Sequence, residues 1–125
     1  MAGKKGSKYY NVFIDYKVWL SSPEGEGILG DGRLAILKTI DKLGSIRAAA
    51  NELEMSYRKA WGNLKKAESL LNFPLVEKTR GGKTGGKTIL TQEAKILINA
   101  YEEFYEEFNI AAGKVIKNFF NKINS

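Results

Sequence analysis

Residues 81–88 have the spacing G-x-x-x-x-G-K-T, with which nucleotide hydrolases hold phosphate groups. In those enzymes a helix follows the loop, because its N-terminus must face the phosphates. Here the next residues are Thr88-Ile89-Leu90-Thr91, a composition that predicts a strand. A small nucleotide-binding enzyme built on this loop is therefore a remote alternative.

Glutamates are the other residues whose spacing could support acid/base catalysis or metal binding. Two pairs at i, i+4 spacing, Glu102/Glu106 and Glu103/Glu107, would lie on one helix face, as acid/base pairs or metal ligands do. The chain has no His and no Cys, which excludes imidazole bases, thiol nucleophiles and the common zinc sites. We interpret the four glutamates as a solvated helix face, and we expect no catalytic residues, no metal, no cofactor and no enzymatic activity.

Charge favours a polyanionic partner. The 125 residues include 20 Lys and Arg against 14 Asp and Glu, for a net charge of +6, so nucleic acid is the leading partner class. The length of 125 residues predicts a single domain, and a hydrophobic content of 43% predicts that it is folded. No run of apolar residues is long enough to span a membrane. Asp15 and Lys17 interrupt the first apolar stretch, so it does not resemble a signal peptide, and we expect a cytoplasmic, nucleoid-associated protein.

The N-terminal region has two parts. Residues 1–8 form a basic tail, which is either an arm that contacts phosphates or a solvated tail. From Tyr10 to Leu20 every even position is apolar, which predicts a half-buried strand over residues 9–20. Glycines and a proline then predict a loop before the first helix.

Three helices with short connections follow. Helical spacing predicts a helix over residues 31–43, which Gly44 ends. Ser45 is placed to cap a short alanine-rich helix, 46–53, and Ser56 to cap a third helix, 56–71. Two closely spaced helices, the first with small side chains, predict a helix-turn-helix.

The face of the third helix opposite its apolar stripe is basic. A recognition helix would place its first turn, Ser56, Tyr57, Arg58 and Lys59, near base edges in the DNA major groove, with Lys65 and Lys66 farther along. The alternative is an ordinary solvated helix. The preceding short helix and the following basic hairpin favour recognition.

Residues 75–79 and 88–91 predict two strands around a glycine-rich tip. As the wing of a winged helix-turn-helix, this hairpin would place Arg80, Lys83, Thr84 and Lys87 on DNA phosphates. The alternative is a flexible turn with no partner.

Beyond residue 92, apolar residues recur at alternating intervals of three and four positions and form an apolar seam. It predicts a long helix whose homodimer interface consists of Leu97, Tyr101, Phe104, Phe108, Val115 and Phe119. The alternative is a break near Gly113, with the last turns folding back. The expected organisation is a tail at 1–8, a DNA-binding domain at 9–91 and a dimerisation helix at 92–125.

Three motifs together, G-S-I-R-A-A-A at 44–50, M-S-Y-R-K-A-W at 55–61 and the double-glycine tip at 80–86, resemble the N-terminal domain of ModE-type molybdate-responsive regulators. LysR-type regulators are similar at a greater distance. The resemblance covers about residues 12–112. It implies a dimeric bacterial or archaeal transcriptional regulator, with helix 31–43 and the C-terminal helix in the dimer and Trp61 partly packed beneath the recognition helix.

Some positions depart from that pattern. Arg58 stands where such proteins often have lysine, and Gly62 where an acidic residue is common, which would alter base preference. The chain also ends where the family's molybdate-binding module would begin, so we expect no molybdate binding.

The resulting expectation is a mainly helical α+β protein, a winged helix-turn-helix with an N-terminal strand and a long C-terminal dimerisation helix. It would bind specific double-stranded DNA as a homodimer, with recognition helices in successive major grooves about 34 Å apart. Ser45, Arg47 and the wing would contact phosphates. The alternative is a chromatin-like architectural protein that binds DNA without base recognition.

Overall fold

The structure is a computed structural model that describes Gly6, residues 8–81 and residues 86–124. The elements along the chain are β1 (Leu20–Ser21), β2 (Gly27–Leu29), α1 (Asp31–Leu43), α2 (Ile46–Glu52), α3 (Tyr57–Leu71), β3 (Val76–Lys78), β4 (Thr88–Leu90) and α4 (Gln92–Ile123). Two compact units form: one is Trp19–Asn99, and the other consists of the described residues before Trp19 and after Asn99. The fold is the predicted α+β winged helix-turn-helix.

Local signals explain the helix bounds in the first unit. Gly44 ends α1 in the left-handed conformation, with φ 75°, which glycine adopts without the steric cost of a Cβ. The Ser45 hydroxyl accepts a hydrogen bond from the Ala48 amide, and the Ser56 hydroxyl accepts one from the Lys59 amide, both at 3.0 Å. Each serine therefore caps the helix that follows it, and the three predicted helices are confirmed.

The core of this unit lies between the three helices and the strands beside them. Small side chains, Ala49 and Ala50 on α2 and Ala60 and Ala67 on α3, are fully buried, which allows the two helices to approach closely. Larger side chains fill the remaining space, among them Ile36, Leu37, Ile40, Leu64 and Leu75.

Two short antiparallel hairpins flank the helices. β1 pairs with β2, and β3 pairs with β4 in the register Val76↔Leu90 to Lys78↔Thr88. The second hairpin is joined to the helix-turn-helix, because the Thr88 amide donates to the Gly44 carbonyl at 2.9 Å. The wing is therefore attached to the turn between α1 and α2.

The predicted strand over residues 9–20 is wrong in extent. Phe13 forms only an isolated bridge, and the strand proper is restricted to Leu20–Ser21. The residues expected to face a core are instead largely exposed, including Tyr10 and Val12. In place of strand pairing, the segment contacts α4: the Tyr16 hydroxyl donates to Asn109 at 2.6 Å.

Helix α4 is continuous through Gly113, so the predicted alternative of a break there is wrong. Thr91 caps its start, accepting from the Ala94 amide and donating to the Pro74 carbonyl. One face is buried, consisting of Ala94, Ile98, Tyr101, Ile116 and Phe120. Within the described ranges, no helix has the length and apolar character needed to cross a bilayer.

Candidate nucleic-acid interface

The first turn of α3 presents two cations, Arg58 and Lys59. Arg58 and Lys59 are exposed, and their side chains make no hydrogen bond or ion pair with the residues that the structure describes. Both are therefore available to a polyanion.

Arg47 and Tyr57 form a stacked pair across the helix-turn-helix. The Arg47 guanidinium lies 4.5 Å from the centre of the Tyr57 ring, and both side chains are exposed. A cation held over an aromatic face retains its charge while losing part of its rotamer freedom. The two predicted DNA contacts are thus brought together.

The predicted contacts farther along α3 are already engaged within the chain. The Lys65 ammonium lies 3.2 Å from a Glu68 carboxylate oxygen and 5.6 Å from the centre of the Trp61 ring, and the Lys66 ammonium pairs with Glu26. Trp61 is 45% exposed, which is compatible with the partial packing that the family resemblance implies. Phosphates would have to compete with these ion pairs for Lys65 and Lys66.

Arg33 on α1 connects β2 to α3, a role that sequence reasoning missed. Its guanidinium donates to the carbonyls of Gly27 and Ile28 and, at 3.2 Å, to the Asn63 side chain. The Asn63 amide in turn donates to the Lys59 carbonyl at 2.9 Å. Burial lowers the pKa of the Arg33 guanidinium below its ordinary value. No local pattern marks this arginine, because its partners lie in two other segments, β2 and α3.

The base of the wing is closed by Thr79 and Lys87. The Thr79 amide donates to the Lys87 carbonyl at 2.8 Å, and the Lys87 amide donates to the Thr79 hydroxyl at 2.9 Å. Arg80 and Lys87 are exposed here, while Lys83 and Thr84 lie outside the described residues. β4 begins at Thr88, so a strand stands where a phosphate-binding loop requires a helix.

Glu68 connects α3 to the wing, and sequence reasoning missed it as well. Its carboxylate accepts from the amides of Leu75 and Val76, at 2.7 and 3.4 Å, at the point where β3 starts. A lone glutamate in an otherwise basic helix was the available signal. Within the described part of the chain, no group of three or more acidic residues could hold a metal ion.

Most of the predicted dimer seam is exposed. Phe104, Phe108, Val115 and Phe119 present apolar surface, and the Phe104 and Phe108 ring centres lie 5.8 Å apart. Leu97 is half-buried. Tyr101 differs from the other seam residues: it is only 3% exposed, and its hydroxyl donates to the Val18 carbonyl at 3.2 Å. It is therefore already covered within one chain.

Comparison with known proteins agrees with the helix-turn-helix fold of this chain. Residues 32–95 match the model of the bacterial regulatory helix-turn-helix protein, lysR family, and this range covers α1 to the start of α4. The molybdenum-pterin-binding protein MopB of Rhodobacter capsulatus is 42% identical over 58% of the chain and 27% of its own length. The transcriptional regulator ModE of Haemophilus influenzae is 40% identical over 56% of the chain and 28% of its own length.

A third relative is the DNA-binding transcriptional dual regulator ModE of Escherichia coli, which is 37% identical over 56% of the chain and 27% of its own length. The chain thus matches little more than a quarter of each of these relatives. The chain belongs to the lysR family of bacterial regulatory helix-turn-helix proteins, and its helix-turn-helix is of the ModE type.

Proposed function

We propose that the chain is a DNA-binding transcriptional regulator that acts as a homodimer, with α3 in the major groove and the wing on the phosphate backbone. The observation that supports this best is the state of Arg58 and Lys59. These cations are exposed and unpaired among the described residues, at the end of α3 that a helix-turn-helix presents to base edges. The names of the relatives, among them a DNA-binding dual regulator, agree with this function.

The proposed contacts divide into two kinds. Arg58 hydrogen-bonds a base, with guanine as the expected partner because its O6 and N7 together accept two N–H donors of one guanidinium. Ser56, Tyr57 and Lys59 lie beside it in the groove. The remaining contacts are to phosphates and come from Ser45, Arg47, Arg80, Lys83, Thr84 and Lys87, with Lys65 and Lys66 released from their ion pairs.

The homodimer is supported by the exposed seam of α4. Phe104, Phe108, Val115 and Phe119 lie on one side of a single helix and leave apolar surface in water. A second copy that packs against this seam would bury it and would supply a second recognition helix. Two such helices match half-sites about 34 Å apart on one face of DNA.

Fluorescence anisotropy tests the proposal. The protein is titrated into labelled duplex from its own upstream region and into a scrambled duplex, over a series of salt concentrations. We expect tight, sequence-dependent binding that saturates at two chains per site. Equal and steeply salt-dependent binding to both duplexes would instead indicate an architectural DNA-binding protein, and the absence of binding would contradict both.

Two further expectations belong to this proposal. The first is location in the cytoplasm on the nucleoid, which fluorescence microscopy of a tagged chain tests. The second is that this chain binds no molybdate, although the names of its relatives include molybdenum. Equilibrium dialysis against molybdate tests it, and saturable uptake would contradict it.

A further inference from the structure

Glu68 is the one acidic residue on α3, and both of its carboxylate oxygens are occupied. One oxygen accepts from the Leu75 amide at 2.7 Å and from the Val76 amide at 3.4 Å. The other lies 3.2 Å from the Lys65 ammonium. Its side chain is only 12% exposed, so these hydrogen bonds are formed with little competition from water.

The two backbone amides that donate to Glu68 lie where the wing begins. Leu75 is buried, and β3 starts at the next residue, Val76. The Leu75 carbonyl accepts from the Thr91 amide, while its amide donates to Glu68. The start of β3 is therefore fixed on one side by the residue that caps α4 and on the other side by a side chain of α3.

This arrangement has a consequence for DNA binding. Arg80 follows β3 by two residues, so the position of the start of β3 relative to α3 determines where Arg80 lies when Arg58 is in the groove. Backbone hydrogen bonds within α3 and within the wing do not determine that relation, because they act inside each element, and the Thr88–Gly44 hydrogen bond joins the wing to the turn after α1 rather than to α3. The Glu68 carboxylate acts between them.

We infer that Glu68 is a positioning residue that sets the wing in register with the recognition helix, so that both contact the same duplex. This inference rests on the proposed DNA-binding function. Lys65 has a supporting role: it lies against Trp61 and orients the Glu68 carboxylate, which makes it a weaker phosphate contact than the sequence suggests.

A double-mutant cycle separates positioning from simple stabilisation. Arg80→Ala and Arg58→Ala are each combined with Glu68→Ala, and binding to the upstream duplex is measured over a salt series. In the wild-type background, Arg80→Ala should lower the slope of log affinity against log salt by about one. In the Glu68→Ala background it should change the slope by less than half as much, whereas the effect of Arg58→Ala should persist.

Two controls accompany the cycle. Glu77→Gln removes a negative charge from an exposed position on β3, so it reports the effect of charge alone on DNA affinity. Should Glu68→Ala fail to fold, as circular dichroism would show, Glu68→Asp replaces it, since aspartate retains the charge but is one methylene too short to reach Leu75. Glu77→Gln should leave the effect of Arg80→Ala intact.

The outcomes separate the inference from the proposed function. An equal effect of Arg80→Ala in both backgrounds overturns the inference while leaving DNA binding by the wing in place. If Arg80→Ala has no effect in the wild-type background, wing contact is itself wrong and the role of Glu68 is overturned with it.

Discussion

The Arg47 guanidinium and the Tyr57 ring, 4.5 Å apart, join the first turn of α2 to the first turn of α3. Each helix alone would leave its exposed side chain free to rotate. Together the two residues form a partly ordered surface at the first turn of α3. An exposed cation–π contact of this kind is worth about 0.5–1 kcal/mol.

Replacement of Tyr57 by leucine should weaken DNA binding by about twofold to fivefold, since Arg47 would then have to be ordered when the complex forms. Tyr57→Phe retains the ring and should bind as the wild type does. Anisotropy titrations at one salt concentration compare the two variants. Equal losses for phenylalanine and leucine would assign the effect to the hydroxyl and contradict the role of the stack.

Arg58→Ala should cost about 1–3 kcal/mol on the preferred duplex and relax discrimination at one base position. Lys59→Ala is the matched control, because it removes a neighbouring cation that is equally unpaired among the described residues. It should weaken all duplexes alike and lower the salt slope by about one. The measurement is a panel of duplexes with single base-pair changes. If Arg58→Ala lowers affinity equally for specific and random DNA, the base contact is wrong.

Val115→Asp should dissociate the proposed homodimer, because the interface would have to bury an unpaired carboxylate. Val115 is 68% exposed, so the substitution should leave the folded chain intact. Ile110, 58% exposed and on a different side of α4, is the matched control. Sedimentation velocity should show monomer for Val115→Asp and dimer for Ile110→Asp. Dimers from both variants would place the interface elsewhere.

Ser56→Ala should lower the free energy of unfolding by about 1 kcal/mol through loss of the α3 cap. Ser56→Asp should restore that stability, because a carboxylate caps the helix and also interacts favourably with the positive end of the helix dipole. The same aspartate should weaken DNA binding by repelling phosphates. Urea unfolding and anisotropy measure the two effects. Wild-type affinity for Ser56→Asp would contradict the proximity of this turn to DNA.

Arg33→Lys should lower the free energy of unfolding by about 1–3 kcal/mol, since lysine preserves the charge but loses the planar fork that holds two carbonyls and Asn63. Arg58→Lys, an identical change at a position with no ion pair among the described residues, should leave the free energy of unfolding unchanged. Urea denaturation of both variants gives the comparison. A stable Arg33→Lys protein would show that the Arg33 hydrogen bonds are not needed to hold β2 against α3.

The helix-turn-helix could be predicted closely because its signals are local. Gly44, Ser45 and Ser56 each act within four residues of themselves, and the three helices begin and end beside them. The long α4 was also predicted, since Gly113 costs only about 1 kcal/mol in a helix whose other residues favour it.

Alternation of apolar residues misled the prediction at the N-terminus. The pattern around Tyr16 satisfies a strand rule, but strand formation also needs a neighbouring strand, and this segment contacts α4 instead. The glycines around residues 27–29 predict a loop, whereas the structure forms the short strand β2 there. Contacts such as Arg33 with Asn63 and Glu68 with Leu75 join residues 30 and 7 positions apart. They depend on tertiary packing, which no periodicity encodes.

Gly44 is one residue in which three requirements meet. It ends α1 with a positive φ, its carbonyl accepts from Thr88 of the wing, and carbon atoms of Lys87 lie 3.6 Å from where its Cβ would be. A wing taken from a relative would therefore have to form the same hydrogen bond and the same close packing with the turn between α1 and α2. Exchange of wings between members of this family should succeed only when residues 44, 87 and 88 are moved as a set. The reason is that the wing packs against the turn inside the helix-turn-helix, so this turn belongs to the unit that must be exchanged.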